Sequence, residues 1–304
     1  MSFIQKPFLK WVGGKTQMIN HIINKVPKEI NNYYEPFLGG GSVLFAILSL
    51  QSLGHITIKN NIYACDINHA LINTYKHVQQ NNNELYSLLE HYVNEYDCIK
   101  GTCVNRKPQS IEEATTSKES YYYWIRNKYN QLNTSLPDSV ECAALFMFIN
   151  KMCFRGMYRE GPNGYNIPYG HYKKTPKIIT KKELDYISKL IQNVVFIHCD
   201  FNQSLETVLK GDFVYIDPPY APENKKSFVG YVADGFSLET HHSLFTIIND
   251  LHNRNIQFIM SNAKVDLVMN AFNNVNLKKE DILARRAIHS KNPGATAMEI
   301  LVYN

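Results

Sequence analysis

Residues 213–220 read FVYIDPPY, a short apolar run that stops at an aspartate and two prolines. The run 213–216 contains only aromatic and β-branched residues, which is typical of a buried strand. Proline fixes φ and has no backbone N–H, so the strand is expected to end at Asp217. A carboxylate and free carbonyl groups would then lie at the carboxyl end of a strand, where open α/β sheets bind their ligands.

Five further runs are short and apolar in the same way. They are residues 33–35, 62–65, 194–198, 256–260 and 298–303. Helical patterns, such as residues 41–53 and 238–253, lie between them. Alternating strands and helices predict an α/β fold built on an open, Rossmann-like sheet.

The alternation stops between about residues 76 and 175. A polar stretch at 79–83 and a segment of low hydrophobicity at 100–120 come before a helix-like run at 143–153. Residues 156–172 combine Gly, Pro and Asn with aromatics, a pattern typical of a β-hairpin or an ordered loop. We therefore expect a sheet-containing unit of residues 1–75 and 175–304, interrupted by a mostly helical unit of residues 76–174 that carries a hairpin.

Composition limits the classes of protein to consider. A chain of 304 residues with 44% hydrophobic residues can bury a core, and its net charge of +5 suits a polyanionic partner without requiring one. No apolar run approaches the roughly 20 residues of a membrane span, and no signal peptide begins the chain, so we expect an intracellular protein without membrane attachment. The six cysteines form no Cys-x-x-Cys pair, so we expect reduced thiols and no metal site.

The tetrapeptide Asp217-Pro218-Pro219-Tyr220 has the chemistry to bind an amino group on an aromatic ring. The Asp217 carboxylate and the Pro218 carbonyl can each accept one of its protons, while Tyr220 lies flat against the ring. Held in this way, the nitrogen lone pair is turned out of conjugation and toward an electrophile. Taken alone, the tetrapeptide is also compatible with a simple turn at the end of a strand.

A second motif lies at residues 35–42, which read EPFLGGGS. A strand end followed by glycines and a helix start lets the backbone approach a nucleotide-like ligand. The lack of a following Lys-Ser/Thr argues against a P-loop. Asp66, 25 residues beyond Gly41, could accept hydrogen bonds from ribose hydroxyls, and Asp200 could meet an adenine amino group. Each of these acids could equally be a helix N-cap.

The motifs resemble those of the DNA adenine methyltransferase (Dam) family, the alpha-type N6-adenine enzymes. The matching stretches are PFLKWVGGK at 7–15, the glycine loop at 35–41 and the DPPY signature at 217–220, in the order and spacing of the family. Similarity continues through residues 150–172, Ser261-Asn262 and residues 285–288, so it spans essentially the whole chain. The resemblance implies a Rossmann-like methyltransferase sheet with an inserted target-recognition domain.

The resemblance also implies the residues of the active site. It makes Asp217, Pro218, Pro219 and Tyr220 the catalytic residues. S-adenosylmethionine, which becomes S-adenosylhomocysteine, would be held by Trp11, Lys15, Glu35, Pro36, Phe37, Gly39, Gly41, Asp66, Asp200 and Asp217. Two of these fit on chemistry alone, because the Trp11 face favours a sulfonium cation and the Lys15 ammonium suits a carboxylate.

Duplex DNA is the partner that the resemblance implies, with the target adenine flipped into the pocket. The expected DNA-binding residues are Arg155, Tyr158, Arg159, Asn163, Tyr165, Asn166, Lys173 and Lys174. Two arginines could each fork onto a guanine edge, and the lysine-rich stretch 173–182 suits phosphates or is an ordinary solvated face.

The recognition sequence stays open between two short palindromes. Many relatives that methylate GATC have Asn-Gly where this chain has Arg155-Gly156, and the turn at residues 160–164 also differs, so CATG is retained beside GATC. A restriction endonuclease for the same site is a possible partner, and we take a monomer as the working state.

Two other functions share parts of this pattern. Related DPPY or NPPY proteins methylate RNA bases or protein glutamine, and a DNA-binding protein that has lost catalysis could keep the pocket. The large insertion favours duplex DNA over the first, and the intact motifs argue against the second.

Overall fold

A computed structural model describes residues 4–222, 236–273, 276–285 and 296–304. The strands are β1 (Glu29–Ile30), β2 (Tyr33–Glu35), β3 (Thr57–Ile58), β4 (Ile62–Asp66), β5 (Glu160–Gly161), β6 (Gly164–Tyr165), β7 (Val194–His198), β8 (Phe213–Ile216), β9 (Gln257–Ala263), β10 (Lys278–Arg285) and β11 (Thr296–Tyr303). The helices are α1 (Ile19–Ile23), α2 (Ser42–Ser52), α3 (His69–Gln80), α4 (Asn82–Cys98), α5 (Ile111–Ala114), α6 (Lys118–Ser135), α7 (Val140–Met152), α8 (Lys181–Leu190), α9 (Phe201–Leu205), α10 (Leu238–Asn253) and α11 (Asp266–Ala271).

The central sheet has seven strands in the order β10-β11-β9-β8-β2-β4-β7. The five strands from β9 to β7 run parallel, and β10 and β11 add an antiparallel end. From β2 the chain first builds outward through β4 and β7, and then returns to place β8 on the other side of β2. This reversal is the switch point at which open α/β sheets bind ligands.

The six predicted strands are all present, which confirms an α/β fold. Four of them, β9, β8, β2 and β4, lie in the middle of the sheet, where both faces of a strand are covered. All four residues of β8, for example, are buried. Strand β10 was not predicted. Its sequence, KKEDILAR, is mostly charged, and it lies at the edge of the sheet, where polar residues are tolerated.

Helices cover both faces of the sheet. One face, with β8, β9 and β11, packs against α9, α10 and α11 around Val214, Leu244 and Phe258. On the other face a single buried cluster continues from the sheet into helices α3 to α7. Helix α7 lies at its centre and is buried almost all round, which explains its continuous apolar sequence. The predicted helix-rich segment therefore shares its core with the sheet.

The hairpin expected within residues 156–172 is present, with strands β5 and β6 of only two residues each. Asn130 of helix α6 fixes its base by accepting from the Tyr165 N–H at 2.9 Å and donating to the Tyr165 carbonyl at 3.0 Å. In the part of the chain that the structure describes, no helix is long and apolar enough to cross a membrane.

Candidate active site

The carboxyl ends of four neighbouring parallel strands form one edge of the sheet. In the spatial order β8, β2, β4 and β7, these ends carry Asp217, Glu35, Asp66 and Asp200. Strand pairing keeps the ends level, since Tyr33 lies opposite both Ile62 and Phe213. A site at strand ends is what the sequence predicts, and the fold brings these four acids to the same edge.

Asp217 forms an ion pair with Lys15, whose Nζ lies 2.8 Å from its Oδ2. Lys15 is 5% exposed, and its ammonium also donates to the Gly13 carbonyl at 2.6 Å. The same Nζ lies 4.8 Å from the centre of the Tyr220 ring, within the range of a cation–π contact. Lys15 thus ties the N-terminal segment to the DPPY corner.

Asp217 retains an unused acceptor. Burial raises the pKa of its carboxyl to about 6, the nearby Glu299 carboxylate adds to the rise, and Lys15 opposes it. Its Oδ1 is buried and accepts no hydrogen bond from the described residues. A buried carboxylate oxygen without a donor favours a ligand that brings one.

Two side chains from the neighbouring strands hold the end of the DPPY corner. The Tyr220 hydroxyl donates to Glu299 Oε2 at 2.7 Å, and the Ala221 N–H donates to Asn262 Oδ1 at 3.0 Å. Glu299 is not among the site residues predicted from the sequence. The signal was present, because Glu299 is a charged residue inside the apolar run of β11.

The glycine loop is fastened to Asp66. One carboxylate oxygen accepts from the Gly39 N–H at 2.8 Å and the other from the Asn68 N–H at 2.9 Å. Burial raises the pKa of Asp66, and these backbone donors oppose the rise. Gly41 has φ +71°, and a Cβ there would lie 2.6 Å from the Tyr75 hydroxyl, so the position requires glycine.

Trp11 lies on this loop. A Cβ at Gly39 or Gly40 would stand 3.0 Å from its side chain, and the indole lies 5.6 Å from the Tyr158 ring of the hairpin segment. Glu35 is 2% exposed and accepts from the Tyr33 hydroxyl at 2.6 Å. Burial raises the pKa of Glu35 well above its usual range. The loop therefore has the Trp11 side chain against it, and it follows a strand that ends in a buried acid whose pKa is raised.

The other end of the edge is aromatic. Phe37 stacks on Phe201 with ring centres 5.4 Å apart and meets the edge of Phe236 at 5.9 Å. Asp200 is the N-cap of α9 and accepts from the Asn202 N–H at 2.9 Å, as the helix-cap alternative predicted. Phe37 therefore packs against the residue that directly follows Asp200.

The residues expected to bind DNA divide by exposure. Asn163, Lys173 and Lys174 are exposed, and Arg159 donates from Nε to Asn166 Oδ1 at 2.6 Å. Tyr165 is 2% exposed, and its hydroxyl donates to the Met157 carbonyl at 3.1 Å. Tyr165 supports the hairpin from within, and a direct contact with DNA would require it to leave this packing.

Tyr158 and Arg155 have structural contacts of their own. The Tyr158 hydroxyl donates to Glu160, and its ring contacts the rings of Trp11 and Phe146. Arg155 has φ +57°, uncommon for a residue with a side chain, and its guanidinium lies 5.0 Å from the Phe154 ring.

A pair of lysines beside the hairpin was not predicted as a pair. Lys10 Nζ donates to the Lys151 carbonyl at 2.9 Å and to the Tyr172 hydroxyl at 3.0 Å. Burial, together with the positive charge of Lys10, lowers the pKa of Lys151 to about 8. Asn150 fixes the backbone of Lys10, accepting its N–H at 2.9 Å and donating to its carbonyl at 2.7 Å.

Comparison with known proteins identifies the family. A family model of D12 class N6 adenine-specific DNA methyltransferases matches residues 11–287. The type II methyltransferase M.MjaIII of Methanocaldococcus jannaschii is 35% identical over 294 residues, which cover 94% of this chain and 93% of the relative. The type II methyltransferase M1.LlaDCHI of Lactococcus lactis subsp. cremoris is 30% identical over 98% of this chain and 95% of its own length.

A DNA adenine methylase of Haemophilus influenzae is 28% identical over 95% of this chain and 89% of its own length. These matches extend over the glycine loop, the helical segment and the DPPY corner alike. The chain belongs to the D12 class of N6 adenine-specific DNA methyltransferases.

Proposed function

We propose that this protein transfers a methyl group from S-adenosylmethionine to N6 of an adenine flipped out of a short palindromic duplex site, GATC or CATG. The observation that carries the proposal is the buried Asp217 Oδ1, which accepts no hydrogen bond from the described residues and belongs to a carboxylate that interacts with Tyr220. An acceptor and an aromatic face at one strand end fit a ring that bears an amino group. Neither group is reachable by a base stacked in a duplex, so the adenine must leave the helix.

The edge of acids fits S-adenosylmethionine, which carries an amino group, a carboxylate, a sulfonium, a ribose and an adenine. Lys15 suits the carboxylate and the Trp11 face suits the sulfonium. Asp66 would accept from the ribose hydroxyls and Asp200 from the adenine amino group, with Phe37 against the adenine ring. Glu35, Pro36, Gly39 and Gly41 would shape the loop around the cofactor.

When bound, S-adenosylmethionine supplies a methyl group activated by a sulfonium leaving group. Asp217 and the Pro218 carbonyl hold the two N6 protons, so the N6 lone pair points away from the ring system. Pro219 fixes the backbone that aims this carbonyl, and Tyr220 orients the ring. Methyl transfer would replace the C–S bond of the donor by an N–C bond, and N6 would lose one proton, which the ionised Asp217 carboxylate could accept.

The helical segment with its hairpin, within residues 76–174, would be the inserted target-recognition domain. Arg155 and Arg159 would read guanine edges, and Asn163 and Asn166 would read an adenine or hold a phosphate. The exposed Lys173 and Lys174 would contact phosphates. The packing of Trp11 on Tyr158 supports this role, because it links the recognition hairpin to the proposed cofactor site.

The cellular role is inferred from the relatives that are named type II methyltransferases. We propose that this enzyme protects DNA inside a cell from a restriction endonuclease that cuts the same site. One chain would act on one adenine, and each half of the palindrome would be methylated by a separate monomer.

A substitution at Asp217 tests the function. Asp217→Ala should abolish labelling of duplex DNA by methyl-labelled S-adenosylmethionine and leave the Kd for DNA largely unchanged. Asp250→Ala is the matched control, because Asp250 is an exposed acid paired with Arg254 on the surface of α10. If Asp217→Ala labelled DNA at the rate of the wild type, Asp217 would not have the role assigned to it.

A further inference from the structure

The last strand of the sheet reaches the DPPY corner. Glu299 of β11 lies opposite Ala263 of β9, and the next pair along is Ile300 opposite Asn262. Adjacent strands thus supply two acceptors to consecutive residues of the corner: Glu299 accepts from the Tyr220 hydroxyl, and Asn262 accepts from the Ala221 N–H. The corner is held from β11 and β9 as well as by its own strand.

Glu299 occupies a costly position for an acid. Ile300, Leu301 and Val302, which follow it in β11, are fully buried. The free-energy cost of partly burying a carboxylate in such a strand must be offset by a strong hydrogen bond. At 2.7 Å, the Tyr220 hydroxyl provides that bond.

The bond also limits the motion of Tyr220. A tyrosine side chain held only through its Cβ can move to another staggered χ1 rotamer, which would carry its hydroxyl away from β11. Tying the hydroxyl to β11 anchors both ends of the long axis of the ring and therefore fixes where the ring lies. Lys15 Nζ, 4.8 Å from the ring centre, occupies one side of it.

We propose that Glu299 is a positioning residue for methyl transfer, which holds the Tyr220 ring in the place where the target adenine stacks on it. The inference rests on the proposed function, because it takes Tyr220 to be the stacking residue. Glu299 touches neither cofactor nor base in this account and acts through Tyr220.

Glu299 has a second effect that separates positioning from simple structural support. The charged and titratable groups facing Asp217 are Lys15 from the N-terminal segment, Glu35 from β2, Tyr215 from β8, Tyr220 from the corner and Glu299 from β11. The negative charge of Glu299 raises the pKa of Asp217. Removing that charge must therefore lower the pKa of Asp217 and extend activity to lower pH.

Two substitutions separate the effect of the hydrogen bond from the effect of the charge. Glu299→Gln keeps an oxygen that can accept from Tyr220 but removes the charge, whereas Glu299→Ala removes both. Glu280→Ala is the control, since Glu280 lies in the adjacent strand β10 and pairs with His21 and Lys25 away from the corner. Tyr220→Phe keeps the ring and removes the hydroxyl, so Glu299 has no bond through which to hold the ring.

The test is the single-turnover rate of methyl transfer to duplex DNA between pH 5 and 8, with the Kd for DNA and the Tm measured for each variant. Glu299→Ala should slow transfer at least about tenfold, because a small misplacement of a reacting group has a large effect on rate. Glu299→Gln should keep the wild-type plateau of the pH–rate profile. In both variants the acid limb, which is the fall in rate at low pH, should move to lower pH. Tyr220→Phe/Glu299→Ala should be no slower than Tyr220→Phe alone.

Two results would overturn the inference. One is a wild-type plateau in a folded Glu299→Ala protein. The other is a Glu299→Gln protein as slow as Glu299→Ala with an unmoved acid limb, since this would mean that the residue only supports the strand. A wild-type protein that labels no DNA adenine would instead contradict the proposed function, so the two failures are distinguishable.

Discussion

Replacing Lys15 by Met should give the protein a pH-dependent loss of stability. The Lys15 ammonium lies 2.8 Å from Asp217, and only 6% and 18% of the two side chains are exposed. Methionine retains most of the apolar stem of lysine and removes the charge. Asp217 would then be left as a buried carboxylate facing Glu299, with no cation beside it.

The size of the effect follows from the pKa of Asp217. That pKa is about 6 with Lys15 in place. Without the cation we expect it to reach about 8, a value known for carboxyls buried without a partner. A rise of about 2 corresponds to about 3 kcal/mol, at the lower end of the loss expected when a buried ion pair is broken.

The sign follows from proton binding. Both proteins share the ordinary carboxyl pKa when unfolded, so only their folded states differ. As the pH rises through about 6, Asp217 ionises beside Lys15 in the wild type and stays protonated in the variant. The stability deficit of the variant should therefore be close to zero at pH 5, grow between pH 6 and 8, and then level off.

Urea unfolding at pH 5, 6, 7 and 8 measures the deficit. Lys59→Met is the control, because Lys59 pairs with Glu29 in a pair whose side chains are 51% and 72% exposed. Such a pair contributes little, so its loss should leave stability nearly unchanged at every pH. A Lys15→Met deficit of equal size at pH 5 and pH 8, or no deficit at either, would refute the reasoning.

Three further predictions concern the loop, the N-terminal segment and the hairpin. Gly41→Ala should lower the free energy of unfolding by at least about 1–2 kcal/mol, because φ is +71° and the new Cβ would meet Tyr75. Calorimetry should also show weaker binding of S-adenosylmethionine, and an unchanged Tm with unchanged affinity would contradict this. Asn150→Ala should destabilise the protein by about 1–3 kcal/mol, because it leaves the partly buried N–H and carbonyl of Lys10 without their partner. Urea unfolding measures this loss, and a smaller loss would count against the role. Arg159→Ala should relax discrimination at one base pair by about 1–3 kcal/mol, whereas Lys174→Ala should weaken binding to all sequences and reduce the salt dependence of binding. Competition binding with single-base variants of the site measures both effects, and the opposite pattern would contradict the two roles.

The sequence predicted the middle of the sheet well, because its strands are short, apolar and ended by Pro or Asp. The bounds of β2, β7 and β8 agree with the predicted runs at residues 33–35, 194–198 and 213–216. An acid that directly follows a parallel strand has few possible locations, because the carboxyl ends of parallel strands share one edge of the sheet. That is why the approximate location of Asp217 and Asp66 could be inferred before the fold was known.

Other features depend on contacts between distant parts of the chain. Lys15 and Asp217 are about 200 residues apart, and nothing local indicates that they pair. Tyr165 lies in a stretch whose composition predicts an exposed hairpin, yet the residue is buried because α6 packs beneath the hairpin. Part of the similarity noted at residues 285–288 lies outside the described residues.

The most direct test of the account is to incubate the protein with unmethylated genomic DNA and S-adenosylmethionine and to map N6-methyladenine at single-base resolution by long-read sequencing. The account predicts methylation confined to one short palindrome, GATC or CATG, and its loss with Asp217→Ala. Absence of methyladenine from the DNA, although the protein binds the cofactor, would contradict it and would favour RNA or protein as the methyl acceptor.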